Sequence, residues 1–335
     1  MELEQALRAL ANNKILADAD LAGADLSGRD LSGCTLRNIN LAGANLNGAS
    51  LQGSTLEQVN LQGARLCGVQ AAQARFDALD LRATQWLNAL LLQAVFSNCR
   101  LDDAQFGGAQ LERCDMNKVS LHGADFSAAN LTRWDPSGLD LRSVKLDGAV
   151  LQRAFLKDCV LSGQRFGGCD LSMANFNGAQ LQQADFSNVV LDRSSFIGAQ
   201  LQQVNFAGVR GKYVALMRAQ LQQANLSGAW FEMADASHAD FSQTQAQAVQ
   251  WRSSMLRKTR WSKASLKNAH WIDCDLAHAD FSDADCTQAD LRGSSIHRMT
   301  QNNTRWDGSN FDGVRPTDAA LERAERWQPN PAIAR

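Results

Sequence analysis

The sequence predicts an all-β solenoid, a stack of short strand-and-turn units, and three observations carry that prediction. Every fifth position from Leu16 to Phe311, 60 in all, holds 33 Leu, 13 Phe and five Trp, with no insertion anywhere. Two residues before this central phase, 52 of the 60 positions are Ala, Val, Cys, Ser or Thr, so a second inward phase admits only small groups. Two residues after it sit 21 of the 24 glycines, as at Gly23, Gly28 and Gly33, which marks a turn needing positive φ. A helix requires apolar spacing of three and four, and a strand requires two. A strict five fits neither, and internal repetition of this kind is the signature of a solenoid.

The number of sides follows from the longer period. Ala179-Gln180-Leu181-Gln182-Gln183 recurs at Ala199 and again at Ala219, and a spacing of twenty stacks the three on one face, with four pentapeptides to a coil. Segments such as Ala24-Asp25-Leu26-Ser27-Gly28 resemble the pentapeptide-repeat family, whose motif is A(D/N)Lxx, over about nine-tenths of the chain. The resemblance implies a right-handed quadrilateral β-helix. Sixty pentapeptides then make about 15 coils and, at roughly 4.8 Å per coil, a rod of about 70 Å.

The elements are expected in this order. Residues 1–14 form an N-terminal cap helix with Leu3, Ala6, Leu7 and Leu10 on one face. Residues 15–315 form a single β-helix. Residues 316–335 form a C-terminal cap helix and tail, in which Leu321, Ala324 and Trp327 are available to dock. Caps are needed because naked terminal strands invite pairing. Two irregularities stand out. Trp134-Asp135-Pro136-Ser137-Gly138 places a proline at a centre, which removes a ladder donor and predicts a bulged loop open to a partner. The Phe centres from Phe76 to Phe206 keep to two opposite faces and Phe231, Phe241, Phe281 and Phe311 to the other two, which predicts a local distortion near Gly211-Lys212-Tyr213.

Chemistry is sparse. Acidic and basic residues number 35 and 33, for a net charge of −2, which excludes a polybasic nucleic-acid binder. The longest apolar run, Trp86 to Leu92, is interrupted by Asn88 and too short to span a bilayer, so no membrane insertion and a cytoplasmic location are expected. The eight cysteines show no metal-type spacing, and six of them, Cys34, Cys99, Cys114, Cys159, Cys169 and Cys274, fall in the small inward phase as core residues. The five histidines are scattered over several coils. No catalytic residue, cofactor-binding residue or metal ligand is assigned, and no enzyme activity or cofactor is expected. Arg252, Arg257, Lys258, Arg260, Lys263 and Lys267 form a basic coil, and the next coil answers with Asp273, Asp275, Asp280, Asp283 and Asp285. The twenty-residue offset predicts the pairs Arg260 with Asp280 and Lys263 with Asp283.

The candidate partner surface is a set of apolar residues in the outward phase just before the centre. Leu90, Val150, Val190 and Trp230 share one face; Val95, Phe155 and Met255 share the next. Together they form a discontinuous apolar edge for another protein or a second copy of the chain. Two branches of the family then bear on function. The gyrase-binding DNA mimics, which protect against quinolones or toxins, imply a continuous acidic stripe, whereas here Asp25, Asp80, Asp115, Asp170 and Asp240 are spread over all four faces. The longer members that accompany bacterial type VI secretion are similar in their short N-terminal helix, glycine-rich start and alternating Leu and Phe centres. The resulting expectation is a non-enzymatic interaction scaffold or adaptor, with a secretion component or effector as partner and gyrase as the alternative.

Overall fold

A computed structural model of the chain describes residues 3–327; the first two residues of the expected N-terminal cap and the tail beyond Trp327 lie outside the described residues. The chain divides into two compact units, Met1–Ser195 and Phe196–Arg335.

The first unit opens with α1 (Leu3–Asn13). Its apolar residues recur at helical spacing, so one stripe faces the coils, where Ala6 and Leu10 are buried. Lys14, at φ 57°, ends the helix in the left-handed region. Coils follow at once. Strands β1 (Ile15–Ala17), β2 (Thr35–Arg37), β3 (Thr55–Glu57), β4 (Arg75–Asp77), β5 (Val95–Ser97) and β6 (Asp115–Asn117) pair in parallel along one side, with Leu16 opposite Leu36 and Phe76 opposite Phe96. On the other three sides the pairing shrinks to single bridges in the same twenty-residue register, such as Asn45 with Arg65. Parallel crossovers of this kind are right-handed, which gives the quadrilateral β-helix.

One coil shows how the five-residue pattern becomes a side. Leu46 N–H donates to the Arg65 carbonyl at 2.7 Å, and Asn45 N–H donates back to the Ala24 carbonyl at 2.9 Å, so both flanking coils are tied at the centre. Ala44 N–H closes the preceding corner on the Leu41 carbonyl at 3.0 Å, with Gly43 at φ 65°. The corner geometry is set by the lattice and not by glycine alone, since Gln58, Asn88, Arg113 and many other residues adopt the same left-handed φ. The central side chains fill the axis. Phe76 stacks on Phe96 with centroids 4.7 Å apart, Phe106 on Phe126 at 4.8 Å, and Trp86 meets Phe76 edge-on at 5.5 Å. Such contacts add about 0.5 to 1.5 kcal/mol each to area burial.

The irregularity expected at Pro136 appears as an opened ladder and not as a looped-out bulge: neither Leu121 N–H nor Asp140 N–H bonds across the two coils, Gly123 N–H turns to Ser143 Oγ at 3.3 Å, and a shallow cleft lies between Ser120, His122 and Asp140. Asp135 pairs with Asp115 in register and Pro136 is buried at its centre. The Phe155 carbonyl, which a backbone N–H at this position would meet, lies 3.2 Å from Ser137 Oγ, whose single proton has a shorter acceptor in Asp135 Oδ1. Trp134 is buried in the small phase against Phe126, so only Asp135, Ser137 and Gly138 are exposed.

The second unit repeats the scheme. Strands β7 (Arg210–Lys212), β8 (Trp230–Glu232), β9 (Gln250–Arg252) and β10 (His270–Ile272) form its parallel ladder. Toward the following coil, the distortion expected near Gly211 is not seen. Gly211 is a buried centre opposite Phe231, and Tyr213 N–H reaches the Glu232 carbonyl at 2.9 Å, because glycine removes a side chain from the axis and leaves the ladder donors in place. Above it, Phe231 stacks on Trp251 at 4.4 Å, while Phe241 stacks on Trp261 at 4.1 Å.

The helix α2 (Ala319–Arg326) is capped by Asp318, whose carboxylate accepts from the Ala320 and Leu321 amides. It buries none of its residues, and Leu321 and Trp327 remain 45% and 71% exposed. It therefore does not cover the last coil, contrary to the capping role expected for it. Glu325 fixes it instead to the flank, accepting from Arg298 Nη1 at 2.9 Å, with His278 Nε2 at 3.2 Å and His297 Nε2 at 3.3 Å. No described helix is long and apolar enough to cross a membrane.

Candidate interaction surface

The outward phase before each centre is first of all a turn-forming position. Asp25 Oδ1 accepts the Ser27 amide at 3.1 Å and Asn45 Nδ2 at 2.9 Å; Asp125, Asp185, Asp235 and Asp280 bind their own second-following amide in the same way. These are Asx turns, so Asp and Asn recur here because a short side chain with an acceptor oxygen closes the corner. The Ser27 hydroxyl and amide hold the Asp25 carboxyl below the usual carboxylate range. Arg82, hydrogen-bonded to Asp80, does the same for that residue, and Arg142 for Asp140.

Where an apolar residue takes this position the corner loses that acceptor and a side chain is left in water. Leu90, Phe155, Val190 and Met255 are 46%, 47%, 49% and 49% exposed. Val95, Val150 and Trp230 are half-buried. Each stands between polar neighbours along its ladder: Leu90 between Gln70 and Gln110, Val150 between Asn130 and Asp170, Met255 between Asp235 and Asp275. Trp230 is partly covered by Lys212 Nζ, 5.6 Å from its ring centroid. The ladder does not join the seven into one strip.

Two local groupings were missed in the sequence because they use the turn phases. Leu87 and Leu92 are 42% and 43% exposed and flank Leu90, so one coil presents three leucines to solvent. In the second unit Tyr213 and Met233, 51% and 48% exposed, are one coil apart beside Trp230. Their signal was the appearance of large apolar residues at corners that elsewhere carry Gly, Gln or Asn.

The cysteines read as core. Seven of the eight are buried and all are free. Burial pushes the thiols of Cys99, Cys159 and Cys169 up to about 11 and those of Cys114 and Cys274 to about 12, which suppresses thiolate chemistry. The basic and acidic coils do meet, through partners other than those expected. Arg257 binds Asp275 at 3.0 Å and Lys267 approaches Asp285 at 3.5 Å, both eighteen residues away, while Arg260 turns back to Asp240 at 3.7 Å. A basic side chain at a corner reaches the acid that begins the next coil's side, which a strict twenty-residue offset overlooks. Asp283 is engaged by Asn303 Nδ2 at 3.1 Å.

Among solved structures, the chain is similar to HetL, a pentapeptide repeat protein involved in heterocyst differentiation regulation from the cyanobacterium Nostoc sp. strain PCC 7120, with 18% identity, 94% of this chain and 96% of that one covered, and a TM-score of 0.27. It is similar to QnrB1, a plasmid-mediated fluoroquinolone resistance protein, at 16% identity over 45% of this chain and 95% of that one, with a TM-score of 0.29. Rfr23 from the cyanobacterium Cyanothece 51142 gives 18% identity over 44% and 100%, also at 0.29. No curated protein sequence matches the chain. The family pattern described as pentapeptide repeats (8 copies) matches residues 9–38, 19–58, 36–69, 94–133, 169–208, 216–248 and 262–298. With the five-residue pattern, the twenty-residue ladder and this match in agreement, the chain belongs to the pentapeptide-repeat family.

Proposed function

We propose that the chain is a non-enzymatic protein-interaction scaffold whose binding residues are apolar side chains held outward on the β-helix. The observation that carries this reading is the group Leu87, Leu90 and Leu92, all more than two-fifths exposed on one coil whose backbone is tied to the coils on both sides through Leu90 N–H to Val69 and Leu91 N–H to Gln110. Ordered apolar side chains in water carry a cost that association removes, at about 25 cal/mol per Å² of apolar area covered. Preorganisation by the ladder lowers the entropy lost on binding.

A secretion component or its effector is the first partner class to test. DNA-like mimicry of a gyrase substrate is the second, and the side chains favour it less. Asp80 is paired with Arg82 at 2.6 Å, Asp140 with Arg142 at 2.6 Å and Asp125 with Lys145 at 3.6 Å, so outward carboxylates are spent locally where a phosphate mimic would present them in a row. The test is cross-linking with mass spectrometry on the purified chain and on Leu90→Asp, each in lysate of the host. A partner cross-linked near residues 87–92 and lost in the variant supports the scaffold. Cross-links to gyrase through the acidic positions, unchanged by Leu90→Asp, would replace it with the mimic, and self-cross-links at 87–92 would identify a second copy as the occupant.

A further inference from the structure

We propose that His278, His297 and Glu325 form a binding site for one divalent transition-metal ion of the zinc type, which ties α2 to the flank of the coils. This goes beyond the scaffold reading and does not depend on it. The three ligand atoms, His278 Nε2, His297 Nε2 and a Glu325 carboxylate oxygen, all lie within 4.8 Å of one another. The separations from the two imidazole nitrogens to the carboxylate are 3.2 and 3.3 Å. Zinc holds nitrogen and oxygen ligands at about 2.0 to 2.2 Å in a tetrahedron, which places neighbouring ligands about 3.4 Å apart. The two imidazole-to-carboxylate spacings, made to different oxygens, Oε1 and Oε2, are close to that value, and the widest spacing in the set, up to 4.8 Å, has to close on the ion. The ligand set also fits: two imidazoles and one carboxylate suit zinc or cobalt better than magnesium or calcium. The site is partly sheltered, since the His297 side chain is 5% exposed and those of His278 and Glu325 are 22% and 26% exposed.

Three ligands from two different elements make the ion a cross-link. His278 and His297 belong to successive coils and Glu325 to α2, so the ion replaces two hydrogen bonds to Glu325 by coordination bonds. The proton balance is simple. In the metal-free arrangement the Asp318 amide donates to His297 Nδ1 at 3.1 Å, which fixes the His297 proton on Nε2. Coordination at Nε2 moves the proton of each neutral imidazole to Nδ1, with no net release. At His297 the Asp318 amide must then turn to water, the loss of one hydrogen bond, which metal ligation exceeds. Arg298, 2.9 Å from Glu325 Oε2, opposes the ion by its charge and is the site's built-in competitor.

The test is titration of the metal-stripped full chain with Zn²⁺ by calorimetry and with Co²⁺ by visible absorption, alongside His278→Ala, Glu325→Gln and Arg298→Met. The expected result is one ion per chain, tetrahedral cobalt bands, and binding weakened at least tenfold by His278→Ala and by Glu325→Gln. Arg298→Met retains all three ligands and is expected to bind at least as tightly as the parent. Zinc should slow amide exchange in α2 of the parent and leave His278→Ala unchanged, which separates a site from a merely structural histidine. Absence of stoichiometric uptake, uptake that survives both ligand substitutions, or loss of uptake in Arg298→Met would overturn the proposal.

Discussion

The four centres of the first coil, Leu16, Leu21, Leu26 and Leu31, are between 2% and 6% exposed, because α1 lies across them with Ala6 and Leu10 turned inward. The four centres of the last coil, Ile296, Gln301, Trp306 and Phe311, are all half-buried or exposed, with Phe311 at 37%. The first coil is closed by packing; among the described residues nothing covers the last coil's centres, and its helix is pinned to the side by charge. Both helices carry an apolar stripe, so amphipathicity does not decide whether a terminal helix caps. What differs is the anchor. Leu10 has a greasy floor beneath it, whereas α2 is captured by Glu325 among Arg298, His278 and His297, on the flank.

The strongest way to break this comparison is to place a charge under α1. Leu10→Asp is expected to destabilise the first unit by about 3 to 5 kcal/mol, the scale for an unpaired buried charge, read as a shift in urea unfolding followed by Trp86 fluorescence. Glycine substitutions sharpen it at the level of the corner. Gly33, near the first coil, has φ 62° and open space around a β-carbon, so Gly33→Ala should cost about 1 kcal/mol for the left-handed backbone alone. At Gly293, φ 70°, a β-carbon would meet only Asp273 Oδ1, the end of an exposed side chain free to swing aside, so Gly293→Ala should cost about the same 1 kcal/mol. A melting shift for Gly293→Ala well beyond that for Gly33→Ala would show that the Asp273 side chain is held in place.

The charge anchor makes the hold on α2 pH-sensitive in one direction. Arg298 first, then His297 and His278, hold the Glu325 carboxyl down to about 2 from its ordinary 4.5. A carboxylate stabilised in the folded chain contributes fully above about pH 4.5 and loses that contribution as pH falls towards 2. Protection of the α2 amides should therefore disappear across this window, while α1, which is held by apolar contact, keeps its protection at the same pH. The smallest effect is expected at Leu321→Asp. This exposed residue of α2 should change stability by less than about 0.5 kcal/mol, and a loss matching Leu10→Asp would show that α2 caps after all.

Most of the β-helix was legible in the sequence because its period is a direct image of the backbone. The central Leu and Phe, the small residues before them and the corner glycines each map onto one position of the side. What misled was the inference from a change in which faces carry Phe, between Phe206 and Phe231, to a deformed backbone near Gly211. Gly211 pairs in register with the following coil, so a changed set of central side chains does not bend the backbone there, whereas beside Pro136 the register holds at Asp135 and the ladder opens at Leu121 and Asp140. The fate of α2 was illegible for another reason: spacing reveals an apolar stripe and does not reveal what the stripe meets. The cluster around Glu325 was half legible. His278 and His297 are nineteen residues apart and hence on adjacent coils, yet Glu325 joins them only once the helix is placed. The exposed Leu87 and Leu92 were overlooked because attention was confined to the phase before the centre.

The hydroxyl of Ser137 at the Phe155 carbonyl has a practical meaning for anyone writing new repeats. It is a partial repair: the hydroxyl proton goes first to Asp135 Oδ1, and the Phe155 carbonyl gains only a longer, shared contact where the preceding imino ring offers no donor. A designer who wants chain stiffness from proline on the axis can specify Pro-Ser as a unit, with Pro-Thr as the natural variant to try. Pro followed by a residue without a hydroxyl should be the combination that a library of such coils rejects.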